Sequence, residues 1–540
     1  MTASSDFVAA GQETVQPGAG PRATALWQRW WLSVLVWTLG VVAAFACYLR
    51  LASTRAVNSD GSAQALQAWD MLHGNLLLHG WMLSDVSFYT TELPEYMLVE
   101  LVRGLSTDVV HVAAAVTYAL VVVLAAMLAK GRATGRAALA RVLITVGIML
   151  APQLVQGINV LISSPDHIGT TVPLLVLWVI LDRARPRWYV PVVAAIVLGW
   201  ATFADTLVLF IGVLPLAAVC AVRVARAVGR EGQPLRAQGY QLGLGAGALV
   251  GGAAGWLALH HRPADAFGLW PTTGHLLSSP AVLPQHLNIA GQGLLLLGGA
   301  DFLGHPVAVA TAVLLLHLVG VALAALGVLA ALARFTRGSD LVTDVLVTAV
   351  VINLAVYVLS TDAVAVYFSR EMAAVLPFAA VLAARLLADR VLAVRLAPAV
   401  LFVVLAGYLG GLGYELAQPP VPAQNQQLAT WLAEHHLDRG LSGYWQSSVV
   451  TLATREQVRV LQLRVAGQRV VPYDWEVKLT WFDPRHNTAN FVVLAPPVAE
   501  YPGFTNDTAV LGTFGPPAHD YHVGPYQVLV YRKNLLADLR

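Results

Sequence analysis

Apolar residues in this chain gather into long unbroken runs separated by short polar connections. They do not follow the three-to-four-residue spacing of a half-buried helix or the alternation of a half-buried strand. Runs at 27–49, 109–129, 139–162, 168–181, 188–204, 206–222, 240–259, 307–332, 341–360, 372–390 and 396–415 reach or approach the length needed to cross a hydrocarbon core of about 30 Å. The pattern predicts a polytopic α-helical membrane protein with about eleven transmembrane helices. Inside a bilayer a helix satisfies its own backbone donors and acceptors, so length and apolarity are the dominant signal.

The connections orient these spans. Lys130, Arg132 and Arg136 follow the second run, Arg183, Arg185 and Arg187 the fourth, and Arg223, Arg226, Arg230 and Arg236 the sixth. Arg334 and Arg337 follow the eighth, and Arg390 and Arg395 the tenth, so every second connection is basic. Short cytoplasmic loops carry the excess of Lys and Arg. The alternate connections, Ser163-Ser164-Pro165-Asp166-His167 and Phe203-Ala204-Asp205, hold carboxylates and neither Lys nor Arg, and are read as exterior. The N-terminus is then cytoplasmic and the segment after the last span extracytoplasmic. Residues 1–25 lack an apolar core of their own and read as a disordered cytoplasmic tail rather than a cleaved signal peptide.

The organisation expected is therefore a tail (1–25), a membrane domain (26–416) with a long exterior loop (51–108), and a small α/β extracytoplasmic domain (417–540). In that last part, 425–436 has the spacing of an amphipathic helix, while 448–453, 458–463, 491–494 and 526–531 read as strands between Gly/Pro turns. A composition 57% hydrophobic and 12% charged needs lipid as solvent. A net charge of +2, with basic residues scattered, carries no nucleic-acid footprint. The two cysteines, Cys47 and Cys220, fall in apolar runs and offer neither a disulfide framework nor a zinc site. The Ala/Arg/Val-rich, Lys-poor composition points to a high-GC bacterial host and its plasma membrane.

Polar chemistry concentrates in the exterior connections. The first loop carries Asn58-Ser59-Asp60-Gly61-Ser62, then a stretch with Leu66, Trp69, Met71 and Leu72 that reads as a membrane-surface helix, then a polar-aromatic patch containing Asp85. Asp60 could simply cap that helix; what favours a site is company, since Asp85, Asp166, Asp205, Asp301 and Asp362 also lie at exterior helix ends. Asp166-His167 is either a turn capping the fourth run or a pair at a cavity rim that binds a divalent metal or a phosphate-bearing substrate. Asp205 stands where two apolar runs meet with no loop to carry it into water, a cap or a cavity group. The connection 362–371 holds Tyr367 and Arg370, and a base on the exterior side suggests an anionic partner, with a salt bridge to Glu371, Asp362 or a lipid headgroup as the competing explanation. The loop 259–306, with His260-His261-Arg262 and Trp270, is long enough to cover a cavity.

In order and placement these pieces resemble the GT-C superfamily of membrane glycosyltransferases, which includes protein O-mannosyltransferases, aminoarabinose transferases and bacterial arabinosyl and mannosyl transferases. The resemblance rests on the early acid of the first exterior loop (Asn58-Ser59-Asp60-Gly61) and the second acidic motif after the third run (Ser164-Pro165-Asp166-His167). It rests also on Tyr367-Phe368-Ser369-Arg370-Glu371-Met372 leading to Leu376-Pro377, and on the C-terminal domain. It implies Asp60 as general base, Asp166 as a metal or substrate contact with a divalent ion as candidate cofactor, and Arg370 as holder of a carrier phosphate. Asp85, His167, Asp205 and Tyr367 complete the candidate substrate-binding set. The activity implied is inverting transfer of a sugar from a polyprenyl-phosphate donor to a glycan, lipid or protein acceptor at the outer membrane face. Two other classes fit the same residues: a transporter or flippase of lipid-linked substrates, against which no inverted repeat is seen, and a non-catalytic glycan-binding membrane protein. The latter would use the aromatic segments Gly443-Tyr444-Trp445-Gln446 and Tyr473-Asp474-Trp475-Glu476.

Overall fold

A computed structural model describes residues 22–150, 160–271, 277–335, 337–423, 425–497 and 503–539. The expected N-terminal tail lies almost wholly outside the described residues, and so do residues 151–159 of the third run. The chain divides into two compact units, Met1–Ala44 and Phe45–Arg540. Helix α1 (Arg22–Ala52) contains in Val34–Ala52 a stretch long and apolar enough to cross a membrane.

From Phe45 onward, α2 (Ser59–Leu72), strand β1 (Trp81–Leu83) and α3 (Glu92–Arg103) form the first long loop. The apolar series follows: α4 (Asp108–Lys130), α5 (Gly135–Met149), the short α6 (Asp166–Gly169), α7 (Thr171–Arg183), α8 (Tyr189–Ala204), a π-helical turn at Leu209–Val213 running into α9 (Leu214–Gly229), and α10 (Gly239–His260). After β2 (Gly268–Leu269) come α11 (Leu283–Leu297), α12 (Val309–Phe335), α13 (Leu341–Leu359), a 3₁₀ turn at Val366–Met372, α14 (Val375–Ala393) and α15 (Ala397–Ala417).

The protein is a multi-pass α-helical membrane protein, and each apolar run is helical over most of its described length, although residues 160–162 at the end of the third run form a bend. The number of spans is a separate matter. Among the described residues seven helical stretches are long and apolar enough to cross a membrane, or eight if the 3₁₀ turn and α14, bent by 57°, are one span. Helices α7 and α8, at 13 and 16 residues, are too short, and α5 is followed only to Met149, so about eleven is not reached.

Helices α8 and α10 cross where glycines let the backbones touch. A Cβ at Gly251 would lie 2.2 Å from the Ala195 carbonyl oxygen, and one at Gly255 would lie 2.3 Å from that of Gly199. This crossing sets the end of α8, where Asp205 emerges. At the end of the bundle away from the acids, Arg385 pairs with Asp182 and Asp340, and Arg223 with Asp344.

The helix with an exposed apolar face is not the one the pattern suggested. Helix α2 is buried almost throughout, its Leu66 and Met71 packed with Leu93 and Tyr96 of α3, Val109 and Val110 of α4, and Leu452 from the C-terminal part. It is α3 that exposes apolar side chains, with Leu98, Leu101 and Val102 at 67, 68 and 85% exposure.

The C-terminal part is α/β: α16 (Gln426–Glu434), β3 (Arg439–Ser442), α17 (Tyr444–Ala453), β4 (Arg459–Ala466), β5 (Arg469–Pro472), β6 (Val477–Lys478), β7 (Phe491–Leu494), α18 (Asp507–Phe514), β8 (His519–Val523) and β9 (Tyr526–Val530). A six-stranded sheet runs β5-β4-β3-β7-β9-β8, parallel at β3 with both neighbours and antiparallel elsewhere. Residues 448–453, expected as a strand, belong to α17. Their β-branched, hydroxyl-rich composition favours a strand, but Ser447, Thr451 and Thr454 hydroxyls bond back to carbonyls four residues earlier, and the helix is buried between α2 and β4.

A second, three-stranded sheet, β2-β1-β6, ties the first loop, the loop after α10 and the C-terminal part together. Lys478 of β6 reaches Asp70 of α2 at 2.9 Å, and the Trp81 indole N–H donates to the same carboxylate at 2.7 Å.

Candidate functional site

Asn58, not Asp60, caps α2: its side-chain oxygen accepts the Gly61 N–H at 3.1 Å. Asp60, in the first turn, is left to point elsewhere. The turn is pressed against α4, since a Cβ at Gly61 would lie 2.6 Å from Val110 Cγ1. Ser59 fastens it further by donating to the Tyr444 carbonyl at 2.7 Å. Asp60 Oδ2 accepts the Tyr367 hydroxyl at 3.0 Å and lies 3.3 Å from Arg370 Nη1; Oδ1 is 2.5 Å from the Tyr444 hydroxyl. Burial raises the Asp60 pKa, and the Arg370 charge and the two phenol hydrogen bonds offset it only in part.

Arg370 projects from the 3₁₀ turn and lies between two acids, with Asp166 Oδ2 at 3.7 Å on the other side. Its guanidinium stacks over the Tyr367 ring 4.8 Å from the centroid, and its buried Nε–H has no hydrogen-bond partner among the described residues. Asp166 has a backbone φ of +28°, uncommon for a residue with a side chain. Its carboxylate accepts from the Ser164 hydroxyl at 2.8 Å and the Gln64 amide at 3.1 Å.

A second ionic group adjoins the first. His167 Nδ1 is 2.9 Å from Asp205 Oδ2, and Nε2 is 3.0 Å from Glu371 Oε1. Asp205 also accepts from the Thr170 hydroxyl at 2.9 Å and the Leu207 N–H at 2.8 Å, so it both satisfies a local backbone donor and lines the larger cavity. Burial opposes an imidazolium, but the carboxylates of Glu371 and Asp205 outweigh it and hold His167 well above its usual range. Asp205 is likewise lowered, its partner His167 overcoming burial. Asp85 is pushed up by burial and by the Glu371 charge.

Asp60, Gln64, Asp85, Asp166, Arg370 and Glu476 surround a small cavity of about 30 Å³. Through Asp85, Val86 and His167 it adjoins a larger cavity of about 500 Å³. The larger one has apolar lining from Leu209, Phe210, Leu259 and Val356 and polar lining from Asp205, Glu371, Asp362, His260 and Arg262. A cavity with one lipid-like wall and one wall of acids and bases suits an amphiphile with a polar head.

Of the seven candidates read from the sequence, Asp60, Asp85, Asp166, His167, Asp205 and Arg370 line these two cavities, while Tyr367 lines neither and instead bonds Asp60 and Arg370. The metal expected at Asp166 finds no ligand set: among the described residues no group of three or more His, Cys, Asp or Glu side chains could hold an ion. The cation beside Asp60 and Asp166 is the guanidinium of Arg370. Sequence reasoning missed Gln64, Glu371, Tyr444 and Glu476. The last two sit in the aromatic-acid segments singled out for glycan binding, so composition marked the segments without marking their direction.

No protein-family model matches the chain, and a comparison with curated proteins finds no match either. Solved structures do match. ArnT from Cupriavidus metallidurans bound to undecaprenyl phosphate is similar over 92% of this chain and 97% of its own, with 12% identity and a TM-score of 0.55. The same protein in the apo state is similar over 94% and 98%, at 13% identity and 0.52. An oligosaccharyltransferase from Archaeoglobus fulgidus in complex with zinc and sulfate matches over 84% of this chain and 67% of its own, at 13% identity and 0.50. The architecture, from the first acidic loop to the C-terminal α/β part, is the fold of these solved structures.

Proposed function

We propose that this protein is an inverting membrane glycosyltransferase that moves a sugar from a polyprenyl-phosphate donor to a hydroxyl acceptor at the outer face of a bacterial plasma membrane, with the N-terminus cytoplasmic and the C-terminal part outside. The observation that carries the reading is the placement of Asp60 and Arg370, a buried carboxylate and a half-buried guanidinium 3.3 Å apart, next to an amphiphilic cavity of about 500 Å³. The GT-C fold and the undecaprenyl phosphate bound to ArnT support the choice of donor.

In this reading the prenyl chain enters along the apolar lining and the sugar lies toward Asp85 and His167. Asp60 takes the acceptor's hydroxyl proton as the oxygen attacks the anomeric carbon from the face opposite the phosphate. The new C–O bond forms while the bond from the anomeric carbon to the phosphate oxygen breaks, and the electron pair leaves on the phosphate. A base is effective when its pKa is drawn toward the working pH, the direction in which burial moves Asp60. Arg370 balances charge on the departing phosphate, its unpartnered Nε–H being a ready donor. Asp166 and Tyr367 hold Arg370 and Asp60 in place.

The test is transfer from labelled polyprenyl-phosphate sugars by the purified chain in lipid, with membrane extract as acceptor. D60N should lower the rate by about 10²–10⁴-fold at unchanged donor binding, the usual contribution of a positioned base. A wild-type chain that transfers from no donor while moving lipid across vesicles would overturn the proposal in favour of a flippase.

A further inference from the structure

The surroundings of Asp60 are completed by a residue pair from the C-terminal part. Tyr444 opens α17, and its hydroxyl stands 2.5 Å from Asp60 Oδ1 and 2.5 Å from Glu476 Oε2. Glu476 immediately precedes β6, which pairs with β1, and the next residue but one, Lys478, is bound to Asp70; the sheet and this ion pair hold the position. Glu476 is buried, at 4% exposure, and Tyr444 is half-buried.

A phenol has one hydrogen to give. Two ionised carboxylates at 2.5 Å from one phenolic oxygen would leave one oxygen facing another with no hydrogen between them. One acid must therefore be neutral and donate. Asp60 has Arg370 at 3.3 Å and the Tyr367 hydroxyl to support its charge, whereas Glu476 is in contact with no cation among the described residues. The groups that act on Glu476 are Asp60 on α2, Asp166 at the start of α6, Arg370 on the 3₁₀ turn, Tyr444 on α17 and Tyr473 on its own segment; only Arg370 is positive.

We propose that Glu476 is a neutral acid that donates to Tyr444 and so commits the single Tyr444 hydrogen to Asp60, which makes both of them positioning residues for the base. The inference rests on the reading of Asp60 as the base. Neither residue exchanges a proton with substrate; the acceptor's proton still goes to Asp60, on the lone pair that Tyr444 leaves open. Burial and the Asp60 charge both push the Glu476 carboxyl well above its ordinary range, in line with this assignment. Above its pKa Glu476 would compete for the Tyr444 hydrogen and set a second negative charge beside Asp60, so transfer should fall at alkaline pH.

Two measurements on the full chain test this. The first is infrared spectroscopy across pH, which needs no substrate. Wild type minus E476Q should show the C=O stretch of a neutral carboxylic acid at pH 7 that vanishes as the pH rises; no such band at pH 7 means an ionised Glu476 and overturns the proposal. The second is the rate profile. E476Q, whose amide N–H still donates to Tyr444, should keep its rate within about threefold at pH 7 and lose the alkaline fall. E476A and Y444F should lose about tenfold to hundredfold in kcat with KM little changed, the size of one hydrogen bond to a charged group. An E476Q that is as impaired as E476A, or that keeps the alkaline fall, overturns the proposal. A wild type inactive with every donor refutes the transferase reading, while the infrared result still decides the state of Glu476.

Discussion

Replacing His167 with alanine would remove the imidazolium from between two carboxylates. Nδ1 meets Asp205 at 2.9 Å and Nε2 meets Glu371 at 3.0 Å, and the His167 and Asp205 side chains are only 7% and 1% exposed. Removing one partner of a buried pair and leaving the other charge in place costs about 3–5 kcal/mol. Asp205 would keep the Thr170 hydroxyl and the Leu207 N–H, and Glu371 is a quarter exposed and screened by water, so the lower end, about 3 kcal/mol, is expected. The folded-state pKa of His167 lies above the unfolded value of about 6.5. Its contribution is therefore complete below about pH 6.5 and is lost as the pH rises through the folded value. The assay is equilibrium unfolding of the purified chain in detergent for wild type, H167A, D205A and the double variant. At pH 6 the 167–205 coupling should be about 1.5–3 kcal/mol, shrinking toward alkaline pH, where wild type should lose stability that H167A lacks. A loss below about 0.5 kcal/mol for H167A, or a coupling of that size at pH 6, would refute the reasoning.

Three more outcomes follow from the packing. G61A places a methyl 2.6 Å from Val110 Cγ1 and should cost about 1–3 kcal/mol while lowering transfer by displacing Asp60; adding V110A should recover much of both losses, read by unfolding and by transfer assay. K478A removes the ion pair with Asp70, both side chains about a fifth exposed, and should cost no more than about 1 kcal/mol, with a loss that shrinks in high salt when measured by unfolding. R385A, at the far end of the bundle, strands Asp182, whose side chain is 9% exposed, and should lower stability by about 3 kcal/mol in detergent yet leave the transfer rate per folded molecule unchanged.

Much of this molecule is legible from the chain alone. A span satisfies its own backbone hydrogen bonds, so each apolar run announces itself without reference to any other. Charges cannot lie cheaply in lipid, so Asp60, Asp166, Asp205 and Arg370 had to fall at the ends of runs, and their gathering on one side could be read before any geometry was known. Other features depended on what packs against what. Helices α2 and α3 are both amphipathic, and only the arrival of α4 and α17 on α2 decides that it is buried while α3 keeps Leu98, Leu101 and Val102 exposed. Residues 448–453 carry strand-like side chains, yet they form a helix because packing against α2 and β4 outweighs that preference. Strands β1, β2 and β6 are two or three residues each, too short for any periodicity, and exist only because they meet. The placing of Arg370 between Asp60 and Asp166, and of Tyr444 between Asp60 and Glu476, joins residues hundreds of positions apart. Sequence marks where a charge must avoid lipid; the tertiary fold alone decides which charge becomes its partner, because pairing is a matter of a few ångströms between segments that the chain order leaves far apart.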